Sequence, residues 1–198
     1  MAKKTTPAAG TAGNSLQHSF TLQRAIPGAN GDPVHELTVV EPELHHFIKA
    51  GRKSTLTEQT ITLLAQLSGL PEDSIKRLKT PDARRIQTWL SSLRDLSVAR
   101  SSARGDGDSR TFDLSVPLVD GAQIIGSLTL REPDLESAIA IERFKTEPEQ
   151  TAAMIAALSG HVIPLISRLK VRDVGAIEEW LVPFVRELGS TEDEPGEA

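Results

Sequence analysis

The sequence predicts an α+β chain of two tandem repeats, each a β-hairpin followed by three to four short α-helices. The first observation is an ungapped shift of 91 residues, which lays Leu37–Leu90 onto Leu128–Leu181 with 23 of 54 positions identical. Chance does not supply that identity in one register. The second is a period-two stretch ahead of each aligned block. The third is the recurrence, at the same offset, of helix caps and of apolar residues at helical spacing.

The hairpins come first. Phe20, Leu22 and, less cleanly, Ile26 alternate before the turn-rich run from Pro27 to Pro33, and Leu37-Thr38-Val39-Val40 returns. In the second copy Phe112, Leu114, Val116 and Leu118 alternate, Asp120-Gly121 signals a type I′ turn, and Ile124, Leu128 and Leu130 return. Glu41-Pro42 and Glu132-Pro133 end the second strands, because proline cannot donate to a ladder and restrains the residue before it. A short helix is expected over Glu43–Ala50 and over Asp134–Ile141.

Thr55-x-x-Glu58 and Thr146-x-x-Glu149 then read as capping boxes for a longer helix. Its stripe runs through Ile61, Leu63, Leu64 and Leu67, and through Met154, Ile155 and Leu158. Gly69 and Gly160 stand where a left-handed C-cap is wanted. A shorter helix carries Ile75 and Leu78, or Ile166 and Leu169. The last helix of the first copy starts at Thr80-Pro81-Asp82, read as a cap with proline at N1. It carries Ile86, Trp89, Leu90 and Leu93; its counterpart carries Ile177, Trp180, Leu181 and Phe184, with Pro183 expected to kink or shorten it.

The domain boundaries follow: a disordered arm over 1–16, a first repeat over 17–98, a linker over 99–110, a second repeat over 111–188, and an acidic disordered tail over 189–198. Each repeat is near the size where a single core is only marginally stable, so the copies are expected to pack on each other or on a partner.

Composition narrows the chemistry. The 198 residues contain no Cys, which removes disulfides, thiolate metal sites and cysteine nucleophiles. No apolar run reaches the length of a membrane span, and the two N-terminal lysines precede no apolar segment, so a cytoplasmic protein is expected. The net charge of −5 divides unevenly, with the first half basic and the second acidic. Lys76, Arg77, Lys79, Arg84 and Arg85 form the best basic stripe, read as a solvated helix face rather than a nucleic-acid site.

The sequence holds no catalytic or metal motif at a working spacing. His35, His45 and His46 lie near Glu36 and Glu41, but adjacent histidines on a helix point about 100° apart and no HExxH spacing exists. Their counterparts Gly126, Glu136 and Ser137 carry no imidazole. Ser68-Gly69 and Ser159-Gly160 lack a nucleophile elbow, and no phosphate-binding glycine loop is present. Asp106-Gly107-Asp108 lacks the closing glutamate of a calcium loop, and Arg104-Gly105-Asp106 is read as an accidental tripeptide. Trp89 and Trp180 sit on the apolar stripe, so core packing is the plainer reading and partner anchoring the alternative. These residues describe a non-catalytic helical binding module with no metal and no cofactor.

The motifs shared by the copies resemble a known family. Leu128-Thr129-Leu130-Arg131-Glu132-Pro133 and the run from Leu67-Ser68-Gly69 through Leu78 are similar to the small tail assembly chaperones of tailed phages, of the P2-like and Mu-like type. The resemblance spans both repeats and implies a protein of the host cytoplasm, absent from the finished virion. It implies binding to the tape measure protein, which stays soluble until tail tube protein polymerises around it. It implies no enzymatic activity, no nucleic-acid or membrane partner, and in many relatives a frameshifted longer form. The alternative is a structural or adaptor component retained in the tail. The family's members are single units, so the doubling suggests a covalent pseudo-dimer, and self-association into a homo-oligomer is a further expectation.

Overall fold

A computed structural model describes residues 15–97, 99, 103–105 and 108–189. The arm expected over 1–16 falls almost wholly outside them, as do part of the linker and the tail beyond Gly189. The chain is mixed α+β. Strand β1 (Gln17–Pro27) pairs antiparallel with β2 (Pro33–Val40), and β3 (Ser109–Asp120) with β4 (Gln123–Arg131), giving two separate two-stranded sheets. After the first hairpin come α1 (Leu44–Gly51), α2 (Leu56–Ser68), α3 (Glu72–Ile75) and α4 (Thr80–Ser92), closed by a 3-10 turn over Leu93–Leu96. After the second come α5 (Leu135–Glu142), α6 (Glu147–Ser159), α7 (Ile163–Ile166) and α8 (Val171–Gly189).

A two-stranded hairpin is marginal in water unless something covers one face. Here the inward residues Phe20, Leu22, Ile26, Leu37 and Val39 pack with Leu64, Leu67, Ile75 and Ile86 from the first helices. Phe112, Leu114, Leu118, Leu128 and Leu130 pack in the same way with Ile155, Leu158, Ile166 and Ile177. Arg24 is exposed between the buried Leu22 and Ile26, in the stretch where the ladder shifts register between Thr21 and Ile26. The second hairpin shifts between Asp113 and Leu118.

Several local expectations are corrected. The β3–β4 turn has Gly121 at φ 58°, but Ala122 keeps a negative φ. That is the pattern of a type II′ turn rather than I′, because the Cβ of alanine disfavours the second positive φ that I′ requires. Helix α4 is capped by Lys79, with Thr80 already its first residue and Pro81 at N2. Pro183, expected to kink or shorten its helix, does not end it: α8 continues to Gly189. Pro183 stands on the exposed side of the helix.

The two capping boxes part ways. Thr55 and Glu58 exchange backbone bonds at 3.2 Å in both directions. Thr146 makes no side-chain cap bond. The Glu149 carboxylate accepts from Arg52 Nε and Nη2, at 3.1 and 3.0 Å, across to the first hairpin's helices.

That bridge belongs to a larger junction. The start of α1 lies along the segment joining α7 to α8. Leu44 N–H donates to Leu169 C=O at 2.9 Å, His45 N–H to Ser167 C=O at 2.7 Å, and Val171 N–H to Pro42 C=O at 3.0 Å. Lys170 Nζ reaches Glu43 at 2.9 Å, and Arg172 Nε stands 2.8 Å from a Glu41 oxygen. Leu44, only 3 % exposed, joins the core of the second set of helices rather than the first. The 3-10 turn also packs on α8, and Ala99 is buried in the same core.

Candidate partner-binding surface

Matching clefts open beside the long helices of each half. In the second half a cleft of about 450 Å³ lies between α6 and α8, over Glu147, Gln150, Thr151, Met154 and Glu178. In the first, a cleft of about 700 Å³ is lined by Leu56, Gln59, Thr60, Leu63 and Gln87, the residues 91 positions earlier in each case. It is widened by Phe47, Ala50 and Gly51 of α1 and reaches across the junction to Lys145–Pro148. The α2 and α6 sides alternate threonine and glutamine with Leu63 or Met154. This surface suits an apolar stripe flanked by hydrogen-bonding groups.

The rims carry uncovered apolar side chains. Leu56 is 80 % exposed at the first cleft and Val182 43 % exposed at the second. Leu56 occupies N1 of α2, directly after the Thr55 cap, so the capping box holds it at the mouth. Periodicity alone does not single out these residues. Their signal is an apolar side chain placed off the core stripe.

Trp89 and Trp180, the anchors considered from the sequence, are half-buried at the sheet ends of their helices. Trp89 stacks on His18 at 5.8 Å and meets Phe20 edge-on at 6.0 Å. Trp180 meets Phe112 at 6.0 Å and Phe184 at 5.3 Å, also edge-on. Each joins its hairpin to its last helix, and neither lines the clefts.

The histidines are not brought together as a set. His35 lies within β2, while His45 and His46 occupy the first turn of α1. The rings of His45 and His46 are 3.9 Å apart, not splayed as two helical neighbours would be. Both turn back to the helix start: His46 Nδ1 accepts the Glu43 N–H at 2.9 Å, and His45 Nδ1 lies 3.2 Å from the Glu43 carboxylate. Burial and the neighbouring His45 push the His46 imidazole down to about 4. It is therefore neutral near pH 7, as an accepting Nδ1 requires. Among the described residues no group of three or more His, Cys, Asp or Glu side chains could hold a metal ion. No helix among them is long and apolar enough to cross a membrane.

The basic stripe is partly engaged. Arg85 donates to Thr21 C=O at 3.1 Å, and Lys76 pairs with Asp73 at 2.8 Å. Lys79 remains exposed beside a cleft of about 540 Å³ bounded by Arg24, Pro27 and the residues from Lys76 to Thr80.

The matched segment of the chain coincides with the first of these two assemblies. Residues 19–103 match the family model described as phage tail assembly chaperone proteins, E, or 41 or 14. The first hairpin and its helices are similar to phage tail assembly chaperones. The match begins inside β1 and ends beyond the 3-10 turn, so it takes in α1 to α4 and the first half's share of the first cleft, but not Lys145–Pro148. It covers just under half of the chain, and supports a role in phage tail assembly. No curated protein and no solved structure matches the chain.

Proposed function

We propose that this chain is a non-enzymatic tail assembly chaperone of two tandem modules, of the P2-like and Mu-like type. Its paired clefts hold an apolar helical face of the tape measure protein, keeping it soluble until tail tube protein polymerises around it. The observation that carries the reading is the pair of clefts at positions related by the 91-residue shift, one of them lined mostly by the segment that matches the chaperone family. A long helix with an apolar stripe needs that stripe covered before its permanent partner arrives, and a helix-in-groove contact does so reversibly. Two linked clefts raise the effective concentration of the second contact once the first is made. The chaperone acts in the host cytoplasm and leaves before the particle is complete.

The test is co-expression with the tape measure protein of the same phage or prophage. Wild-type chain is expected to hold that protein in the soluble fraction and to co-purify with it. The double variant Leu56→Asp, Val182→Asp places charges at two exposed rims and should lose both effects while melting at an unchanged temperature. Equal solubilisation by the folded double variant overturns the assignment of the clefts. Abundant peptides of this chain in purified particles overturn its departure before completion.

A further inference from the structure

The first cleft does not end at Gln87. A neighbouring cleft of about 340 Å³ shares Thr60 and Gln87 with it, and adds Ile61, Ala83 and Arg84. That cleft in turn shares Lys76, Leu78 and Thr80 with the one beside Arg24, Arg77 and Lys79. The three make one groove along α4, from Gln87 through Arg84 to Thr80, a single helix face of about 10 Å.

The groove changes character along its length. The end at the junction is apolar, with Phe47, Leu56 and Leu63, and its Lys145 and Glu147 offset one another. The far end carries Arg24, Lys76, Arg77, Lys79 and Arg84, all exposed. Lys76 pairs with Asp73 at 2.8 Å, and Arg77 acts on the same carboxylate. Among the described residues, no carboxylate lines that end.

The second half shows that the fold does not require these charges. The 91-residue shift puts Ser167 in place of Lys76 and Gly175 in place of Arg84. Arg168, at the place of Arg77, donates to Val119 C=O at 2.9 Å. Lys170, at the place of Lys79, meets Glu43 at 2.9 Å. The face is also covered there. Lys170, Arg172 and Ala176 are buried, where Lys79, Pro81 and Arg85 are exposed. What lies over Lys170 and Arg172 is the acidic turn Glu41-Pro42-Glu43, followed by the apolar Leu44. The uncovered face of the first half thus has an internal precedent for the chemistry it accepts.

We propose that this groove selects a helix of the tape measure protein whose apolar stripe runs into a cluster of Asp and Glu. The stripe lies on Leu56 and Leu63, and the acids lie on Arg84, Lys79 and Arg24. This selectivity rests on the reading of the clefts as the chaperone's binding sites, and adds the charge and the direction of the segment held. The cleft of the second half has Glu147 and Glu178 on its walls, so the same acidic segment is disfavoured there. The charges of the first groove set which segment docks and which way it points.

Overlapping peptides covering the tape measure protein, titrated against the full chain by fluorescence anisotropy, provide the test. Peptides that bind wild type are expected to carry Asp or Glu at one end of an apolar stripe. The double variant Lys79→Glu, Arg84→Glu should bind them about tenfold more weakly, the size expected for two exposed charge contacts reversed. Its thermal midpoint should match wild type, since both positions are exposed. The double variant Lys49→Glu, Arg143→Glu makes the same change of charge away from the clefts and should bind like wild type. A peptide with its acids replaced by Lys should prefer the groove variant over wild type. Equal binding by wild type and the folded groove variant overturns this selectivity and leaves the reading of the clefts standing. So does a set of bound peptides without acids. A wild type that self-associates and dissociates in the groove variant gives the groove to a second copy, which also overturns it. If neither peptides nor intact tape measure protein bind wild type, the reading of the clefts falls and the selectivity with it.

Discussion

Asp82 and Asp173 are identical positions under the 91-residue shift, and both are almost wholly buried. Asp82 accepts the Gln23 N–H at 3.0 Å, and Asp173 accepts the Ser115 N–H at 2.8 Å and its hydroxyl at 2.6 Å. Gln23 and Ser115 lie in the stretches where the two ladders shift register, so each aspartate ties an irregular strand to its last helix. Read from the sequence, Asp82 is part of a helix cap; the structure gives it this strand-tying role instead. Its repetition in both copies is the signal that something other than capping holds it. Removing Asp173 by Asp173→Ala leaves buried donors without a partner and should cost about 1–3 kcal/mol, read as a lower urea midpoint. His46 supplies a pH dependence of definite sign. Its folded pKa, about 4, lies below the ordinary 6.5. Its contribution to stability is therefore complete above about pH 6.5 and declines as pH falls towards about 4, because the unfolded chain then binds more protons. Burial raises the carboxyls of Glu41 and Asp173 and works in the opposite sense, so the comparison must be with a variant. Wild type should lose thermal stability relative to His46→Gln between those pH values, and a difference that ignores pH would refute the assignment.

At the scale of the element, identical sequence signals give different contacts. Thr55-x-x-Glu58 closes as a capping box, while the Thr146 side chain makes no cap bond and Glu149 is shared with Arg52. Thr55→Ala should therefore cost about 1 kcal/mol, the usual value of an N-cap. Thr146→Ala, which removes no cap bond, should cost well under half of that, and paired chemical denaturation curves measure the contrast. The glycine C-caps behave alike in both halves, Gly69 and Gly160 each at φ 71°. Backbone conformation at a helix end is a local matter, whereas the partner of a long charged side chain is settled by whichever surface lies nearby. The two adjacent histidines follow the same rule. Helical geometry predicts divergent rings, but in a first turn the unpaired Glu43 amide and the Glu43 carboxylate draw both back.

Across the whole molecule the junction sets the asymmetry between the halves. Leu44 and Leu135 are the same residue in the same position of the shift, one buried in a foreign core and the other open. Leu44→Ala should destabilise the chain by about 2–4 kcal/mol through lost burial and a cavity. Leu135→Ala should stay within about 0.5 kcal/mol in dilute solution, where that face is bare. Equal costs in thermal or urea unfolding would mean that the junction contributes nothing to stability. The buried pair of Glu41 and Arg172 adds direction more than strength, since desolvation offsets much of its attraction.

By itself the sequence determined the element order, the strand ends at Glu-Pro, the glycine caps and most of the core. Those depend on period, proline geometry and backbone freedom within a few residues. The 91-residue identity also placed the shared aspartates in view without saying what they bind. Only the tertiary structure decided that the contact between halves is head to tail, that Glu149 reaches Arg52 of the other half, and that Leu56 stands at the mouth of a cleft. These outcomes depend on which surfaces meet across long separations along the chain. No period or spacing carries that information, because two nearly identical segments can be buried or bare according to what packs against them.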